Sequence, residues 1–222
     1  MPRSKDFRAI LFDIDGTLLD TIEDLADSMN SVLSRSGFPL HGLGEYKYFV
    51  GDGMENLVRR ALPHSAASDP RKVSECLEML LGLYDLNWNV KTRPYPGIAE
   101  LLDALSARGL KMAVLSNKIN DFALRVINEF LPAWRFELVF GERPGVARKP
   151  DPASALEIAA RMAVEPADFL YLGDTATDMK TANGAGMFAV GALWGFREAG
   201  ELAAGGAARI IAYPMELLEL LD

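Results

Sequence analysis

Apolar residues change their spacing twice along this chain, and the changes divide it into three parts. Ala9-Ile10-Leu11-Phe12 is an unbroken apolar run ending in Asp13-Ile14-Asp15-Gly16, which predicts a buried strand entering a turn. From Thr21 the period becomes helical. Ile22, Leu25, Met29, Val32 and Leu33 share one face, Thr21-Ile22-Glu23-Asp24 reads as a capping box, and Gly37 as the stop. Residues 38–92 carry no strand pattern and predict helices near 44–50, 53–62 and 70–90, the last started by Ser68-Asp69-Pro70. Arg93-Pro94-Tyr95-Pro96-Gly97 then interrupts the chain as a linker.

Beyond the linker, short apolar runs alternate with helical stretches: helix 98–108, strand 111–115, helix 120–131, strand 136–140, helix 152–163, strand 169–172, helix 175–184 and strand 187–193. A strand at 209–212 and a last helix at 214–221 follow, and the Ala/Gly patch 203–208 reads as loop. This alternation predicts an α/β fold, a doubly wound and mostly parallel sheet with helices on both faces. The expected organisation is a core made of residues 1–19 and 93–222, interrupted by a small helical unit, 20–92.

Ligands of open parallel sheets bind beyond the C-terminal ends of the strands, so the polar residues there are the candidates for chemistry. The first strand ends in Asp13-Ile14-Asp15-Gly16-Thr17, a later one in Ser116-Asn117-Lys118, and a third in Gly173-Asp174-Thr175 with Asp178 following; Lys149-Pro150 closes a loop ahead of a helix. A turn relieved by Gly16 lets Asp13 and Asp15 reach one sheet edge. With Asp174 beside them three carboxylates converge, which is tolerable only around a cation, and Mg²⁺ suits carboxylate, carbonyl and phosphate oxygens. A carboxylate attacking phosphorus makes an acyl phosphate, while a second protonates the leaving alkoxide and later activates water. Asp13 suits the first role and Asp15 the second. Lys149, Ser116 and the backbone N–H groups around Asn117 suit the charge that gathers on the phosphoryl oxygens. Singly each piece has a plainer reading: a calcium-type turn for Asp-x-Asp-Gly, a helix cap for Ser116-Asn117, a solvated surface lysine for Lys149, a turn and cap for Gly173-Asp174. Their joint placement at successive strand ends carries the inference.

Composition narrows this further. The 222 residues suffice for one core with an insertion, half of them are hydrophobic, and the formal net charge is −8 without a basic stripe. Nucleic-acid binding is thereby disfavoured, and a phosphate substrate would need local positive charge from a metal ion or an aimed lysine. The apolar run behind Arg3, Lys5 and Arg8 is too short for a signal peptide or a membrane span, so no membrane partner and a cytoplasmic location are expected. Cys76, alone in its apolar run, reads as a buried inert thiol. His41, His64, Arg59 and Arg60 read as surface residues, with one of the two arginines a candidate for a substrate carboxylate.

At these residues the chain resembles the haloacid dehalogenase-like superfamily, whose four motifs match Asp13-x-Asp15-Gly16-Thr17, Ser116-Asn117-Lys118, Lys149-Pro150 and Gly173-Asp174-x-x-x-Asp178 in order. The resemblance implies a Rossmann-like core that holds Mg²⁺ through the Asp13 and Asp174 side chains and the Asp15 carbonyl, with Asp178 supporting them and a helical cap inserted after the first motif. Asp15 implies a phosphatase or phosphomutase, since the dehalogenases lack it. Val50-Gly51-Asp52-Gly53, Pro96-Gly97, Lys149-Pro150-Asp151-Pro152, Gly184-Ala185-Gly186-Met187 and Trp194-Gly195-Phe196 look most like phosphoglycolate phosphatases, although Ala207-Ala208-Arg209 stands where they commonly show an Ala-Asp pair. The expectation is a phosphomonoesterase acting on a small phosphate, with 2-phosphoglycolate favoured and the Gly51, Asp52 and Gly53 turn reaching the substrate. A hexose-phosphate mutase, a pyrophosphatase or other small-phosphate phosphatase, and a non-catalytic binding module are the alternatives.

Overall fold

The structure is a computed structural model and describes residues 6–221. Its centre is a six-stranded, all-parallel sheet of β1 (Ala9–Phe12), β4 (Lys111–Ile119), β5 (Leu138–Glu142), β6 (Phe169–Gly173), β7 (Phe188–Ala192) and β8 (Arg209–Ile211), in the order β5-β4-β1-β6-β7-β8. All four residues of β1 are fully buried because this strand is central and covered on both faces. Its side chains alternate between two cores. Ile10 and Phe12 pack with α6 (Ile98–Ala107) and α7 (Asn120–Phe130), while Ala9 and Leu11 pack with α8 (Ala153–Met162) and α9 (Ala176–Ala185). Burying one leucine or phenylalanine of this kind stabilises the fold by roughly 1.5–3 kcal/mol.

The chain builds outward from β1 to β4 and β5, then crosses to β6, β7 and β8, so the direction of winding reverses at β1. Phe12 is in register with Val114 on one side and Leu172 on the other. The residues after these partners therefore emerge side by side at the C-terminal edge, which is where ligands sit in such sheets. One correction concerns β4, which continues past the expected 115 to Ile119 with a register irregularity after Leu115, placing Ser116, Asn117 and Lys118 within that irregular stretch.

Residues 20–92 fold as α1 (Ile22–Arg35), α2 (Leu43–Phe49), α3 (Met54–Ala61), the one-turn α4 (His64–Ala67) and α5 (Pro70–Asn87). The unit leaves and rejoins the sheet through two short antiparallel strands that sequence periodicity did not reveal, β2 (Leu19–Asp20) and β3 (Arg93–Pro94). Two-residue strands carry no readable period. Asp24 fastens this junction: its buried carboxylate accepts hydrogen bonds from the backbone N–H groups of Lys91 and Thr92 and from Thr92 Oγ1, at 2.7–3.1 Å. The expected capping box at Thr21 is absent, because Thr21 makes no cap hydrogen bond and donates its hydroxyl instead to Asp15. Asp69 does cap α5, accepting from Arg71 N–H. Part of the 203–208 patch is helical, in α10 (Ala199–Ala204), and the C-terminal segment Pro214–Leu220 is a 3₁₀ helix. Among the described residues no helix is long and apolar enough to cross a membrane.

Candidate active site

Asp13 follows β1 directly, its N–H bonded to Leu172 O at 3.0 Å, and Asp174 follows β6 directly. Carboxylate oxygens of Asp13, Asp174 and Asp178 lie within 4.8 Å of one another, all three side chains buried. The side chain of Asp15 lies outside this cluster, and Asp178 takes its place, reaching in from the first turn of α9. Thr175 caps that helix, accepting from Asp178 N–H, while Asp178 Oδ2 accepts from Thr175 N–H and Oγ1. Asp178 is thus fixed by the helix start on which it sits.

Lys149 is a buried ammonium, far from the solvated lysine that its sequence context alone suggests. Its Nζ lies 2.8 Å from Asp13 Oδ1 and 2.7 Å from Asp178 Oδ1, and donates to Leu115 O at 3.1 Å. Asn117 positions it, accepting from Lys149 N–H and donating to Lys149 O and to Gly51 O. Burial disfavours the Lys149 charge, yet Asp13 and Asp178 outweigh it and hold the ammonium well above its ordinary pKa. Burial, reinforced by Asp178 and Asp15, pushes Asp13 up to about 7 despite Lys149. Burial, with Asp178 and Asp13, likewise raises Asp174 well above the usual carboxylate range, against the opposing Phe196 N–H and Arg197.

Carboxylates forced upward in this way are a site short of positive charge. Asp13 Oδ1 has no partner besides the Lys149 ammonium. Three converging buried carboxylates that share a single ammonium fit a hard divalent cation with oxygen ligands. Asp174 is prepared for that task by a ring of donors: Thr17 Oγ1 at 3.2 Å to Oδ1 and Phe196 N–H at 2.8 Å to Oδ2. Gly16 closes against it at φ +87°, where a methyl group would stand 2.3 Å from Asp174 Oδ2.

Asp15 is held apart. Its Oδ1 accepts from Thr21 Oγ1 at 2.7 Å and from Lys118 Nζ at 2.9 Å, and its Oδ2 lies 3.2 Å from the same ammonium. Asp13, Asp15, Ser116, Asn117 and Lys118 line a small cleft whose opposite wall is apolar, formed by Leu25, Val50, Met54 and Leu57 with Gly51 and Gly53. Ser116 Oγ accepts from Lys118 N–H. Gly51 and Gly53 line the cleft, whereas the Asp52 carboxylate is committed elsewhere, to Arg60 and to Thr177 Oγ1. Arg59 is spent on Glu55 and Ala67 O, and Arg60 on Asp52 and the carbonyls of Tyr48 and Phe49, so neither arginine lines the cleft. His64 is exposed, whereas His41 is half-buried between Glu45 and Ala61 O; Cys76 is buried.

Sequence reasoning gave no role to Lys118, Trp194 or Arg197. Trp194 Nε1 donates to Thr17 O at 2.9 Å, and the buried Arg197 guanidinium donates to Lys47 O and Val50 O while lying over the Tyr48 ring. The short segment Trp194–Arg197 thus ties the first aspartate loop, Asp174 and the helical unit together. A Trp-Gly-Phe-Arg run after the fifth core strand was the only signal, and it names no partners.

With the winding reversing at β1, this arrangement sets a buried cluster of aspartates at the ligand-binding edge of a doubly wound α/β sheet. The chain belongs to the haloacid dehalogenase-like hydrolases, whose family model matches residues 10–192, and within them it is phosphoglycolate phosphatase-like. It is 33% identical over 195 residues to phosphoglycolate phosphatase of Nitrosospira multiformis, covering 86% of this chain and 85% of that one. To phosphoglycolate phosphatase 1 of Pseudomonas aeruginosa it is 29% identical, covering 97% and 80%. Among solved structures, a predicted phosphoglycolate phosphatase from Haemophilus somnus superposes with a TM-score of 0.90 at 26% identity, covering 98% of this chain and 99% of its own.

Proposed function

We propose that this protein is a cytoplasmic, Mg²⁺-dependent phosphomonoesterase that hydrolyses a small carboxylated phosphate, 2-phosphoglycolate first among them, through an aspartyl-phosphate at Asp13. The observation that carries the reading is the buried cluster of Asp13, Asp174 and Asp178 with Lys149 against two of them, at the edge of a small cleft that Asp13 lines. The names of the relatives supply the substrate.

In this reading Asp13 and Asp174, with the Asp15 carbonyl, hold the cation, which when bound neutralises charge on the phosphoryl oxygens. One oxygen of Asp13 attacks phosphorus and the ester P–O bond breaks, its electron pair leaving with the alkoxide, which takes a proton from Asp15. Water then attacks the phosphoryl group, losing its proton to Asp15, and the bond to Asp13 breaks to release phosphate. Lys149 stabilises the phosphoryl charge from the opposite side, and Asp178 keeps it there. Ser116 and the N–H groups near Asn117 bind the phosphoryl oxygens. Residues 20–92 act as a cap whose apolar wall excludes water from the acyl phosphate.

The test is phosphate release from 2-phosphoglycolate, sugar phosphates, nucleotides and pyrophosphate, with Mg²⁺ and with chelator. Metal-dependent turnover greatest on 2-phosphoglycolate, abolished in a folded Asp13→Asn variant, is the expected result. Release from no ester by a folded, Mg²⁺-supplied protein would overturn the reading.

A further inference from the structure

The cleft contains a cation that the steps above leave without a task. Lys118 is buried to 2% side-chain exposure at the irregular end of β4, and among the described residues lining the cleft it is the only positively charged one. Nothing across from it competes for an anion: the facing wall is Leu25, Val50, Met54 and Leu57, and both cap arginines point elsewhere. Beside it stands Tyr84 of α5, fully buried, its ring centroid 5.1 Å from Lys118 Nζ.

Lys118 also restrains Asp15. Both oxygens of that carboxylate are engaged, by Lys118 and by Thr21, whereas a carboxyl that serves the ester oxygen has to turn toward the substrate. The pair can be opened by exchange. An ammonium is a compact charge with three donors on a flexible stem, so an incoming anion can replace Asp15 on Lys118, and the displaced Asp15 carboxylate, still held by Thr21, takes up from solvent the proton that it later gives to the ester oxygen. Loss of the pair with no replacement would strand that charge, so a neutral substrate gains no such exchange.

Resting on the phosphatase reading, we propose that Lys118 is a specificity-determining residue: it binds a carboxylate carried by the substrate one or two carbons from the phosphate ester, and by doing so releases Asp15 for proton transfer. The short spacing follows from the cleft, since Lys118 lies two residues from Ser116 and both line the same small space as Asp13 and Asp15. The ligand class is thus a two- or three-carbon phosphate with its own carboxylate.

The experiment compares kcat/KM for 2-phosphoglycolate with that for its neutral counterpart, 2-hydroxyethyl phosphate, in the wild type, Lys118→Gln and Lys118→Arg. A hydrogen-bonded ion pair of this kind contributes about 1.5–3 kcal/mol, so the wild type is expected to prefer the carboxylated ester by roughly 10- to 150-fold. Lys118→Gln is expected to reduce that ratio to within about threefold, with the larger change in KM for the carboxylated ester, and Lys118→Arg to restore part of it. A purely structural lysine would lower both substrates equally and leave the ratio intact, which overturns the proposal. The wild-type ratio is decisive even where a variant fails to fold: hydrolysis of both esters with equal kcat/KM overturns the Lys118 assignment while leaving the phosphatase reading in place. Release from neither ester, nor from any other in the panel, would remove the phosphatase reading and this inference with it.

Discussion

Gly195→Ala probes the metal end of the site without touching a reactive group. Gly195, unlike Gly16, does not occupy the left-handed backbone region, so the substitution carries no conformational strain of its own. The added methyl group would stand 2.3 Å from Gly16 O, 2.4 Å from Asp174 Cβ and 2.5 Å from Asp174 Oδ2, against an ordinary contact of 3.4–4 Å. Either Asp174 or the Trp194–Phe196 backbone must then move by roughly 1 Å, enough to stretch the 2.8 Å bond from Phe196 N–H to Asp174 beyond hydrogen-bonding range. Overpacking of this kind costs about 1–3 kcal/mol, or roughly 2–12 °C in Tm for a chain of this length. Disturbing a group that orients a metal ligand typically weakens metal affinity by about 10- to 100-fold. The assay is a Mg²⁺ titration of phosphate release, paired with thermal melts in chelator and in saturating Mg²⁺. The half-maximal Mg²⁺ concentration is expected to rise at least tenfold, and the Mg²⁺-induced gain in Tm at a fixed sub-saturating concentration to shrink. A titration midpoint within twofold of wild type, with an unchanged melt, would refute the cradle that the structure places around Asp174.

Stability should also depend on pH in a direction set by the carboxylates. Asp13 is raised from 3.8 to about 7 when folded, so the unfolded chain gives up this proton first; the metal-free protein loses stability from about pH 4 to pH 7, and the full cost is present above that. Thermal melts with and without Mg²⁺ are therefore expected to show a larger stabilisation by the ion at pH 8 than at pH 5.5, and an equal effect at both would contradict it. Lys149→Met leaves Asp13 and Asp178 buried without their cation, which costs about 3–5 kcal/mol, and phosphate release should fall at least a hundredfold even where melts in Mg²⁺ show a folded protein. Arg197→Ala removes the donors to Lys47 O and Val50 O that hold α2 against the core; KM is expected to rise more than kcat falls, and a change confined to kcat would show that the latch does not shape the cleft.

The alternation of apolar runs with helical stretches, the linker at 93–97 and the polar ends of strands were all readable in the linear chain, because each depends on neighbours a few residues away. Burial on both faces forces β1 to be continuously apolar, and the residue that follows such a strand is recognisable by position alone. The sequence therefore determined that Asp13, Ser116, Lys149 and Asp174 stand at one sheet edge. It could not show what each side chain does on arrival. Thr21 had the spacing of a capping box and instead bonds Asp15, since a partner six residues back and already turned toward it outcompetes the local cap. Lys149 and Lys118 had the composition of surface residues, and only the register of β4 beside β1, with α5 folded over it, encloses them with carboxylates from distant segments. Arg59 and Arg60 were the visible cations of the cap, yet local partners hold both away from the cleft. Pair energies of buried charges depend on distance and on the exclusion of water, quantities that no local pattern encodes, so tertiary structure alone decided which aspartate shares a site with which lysine.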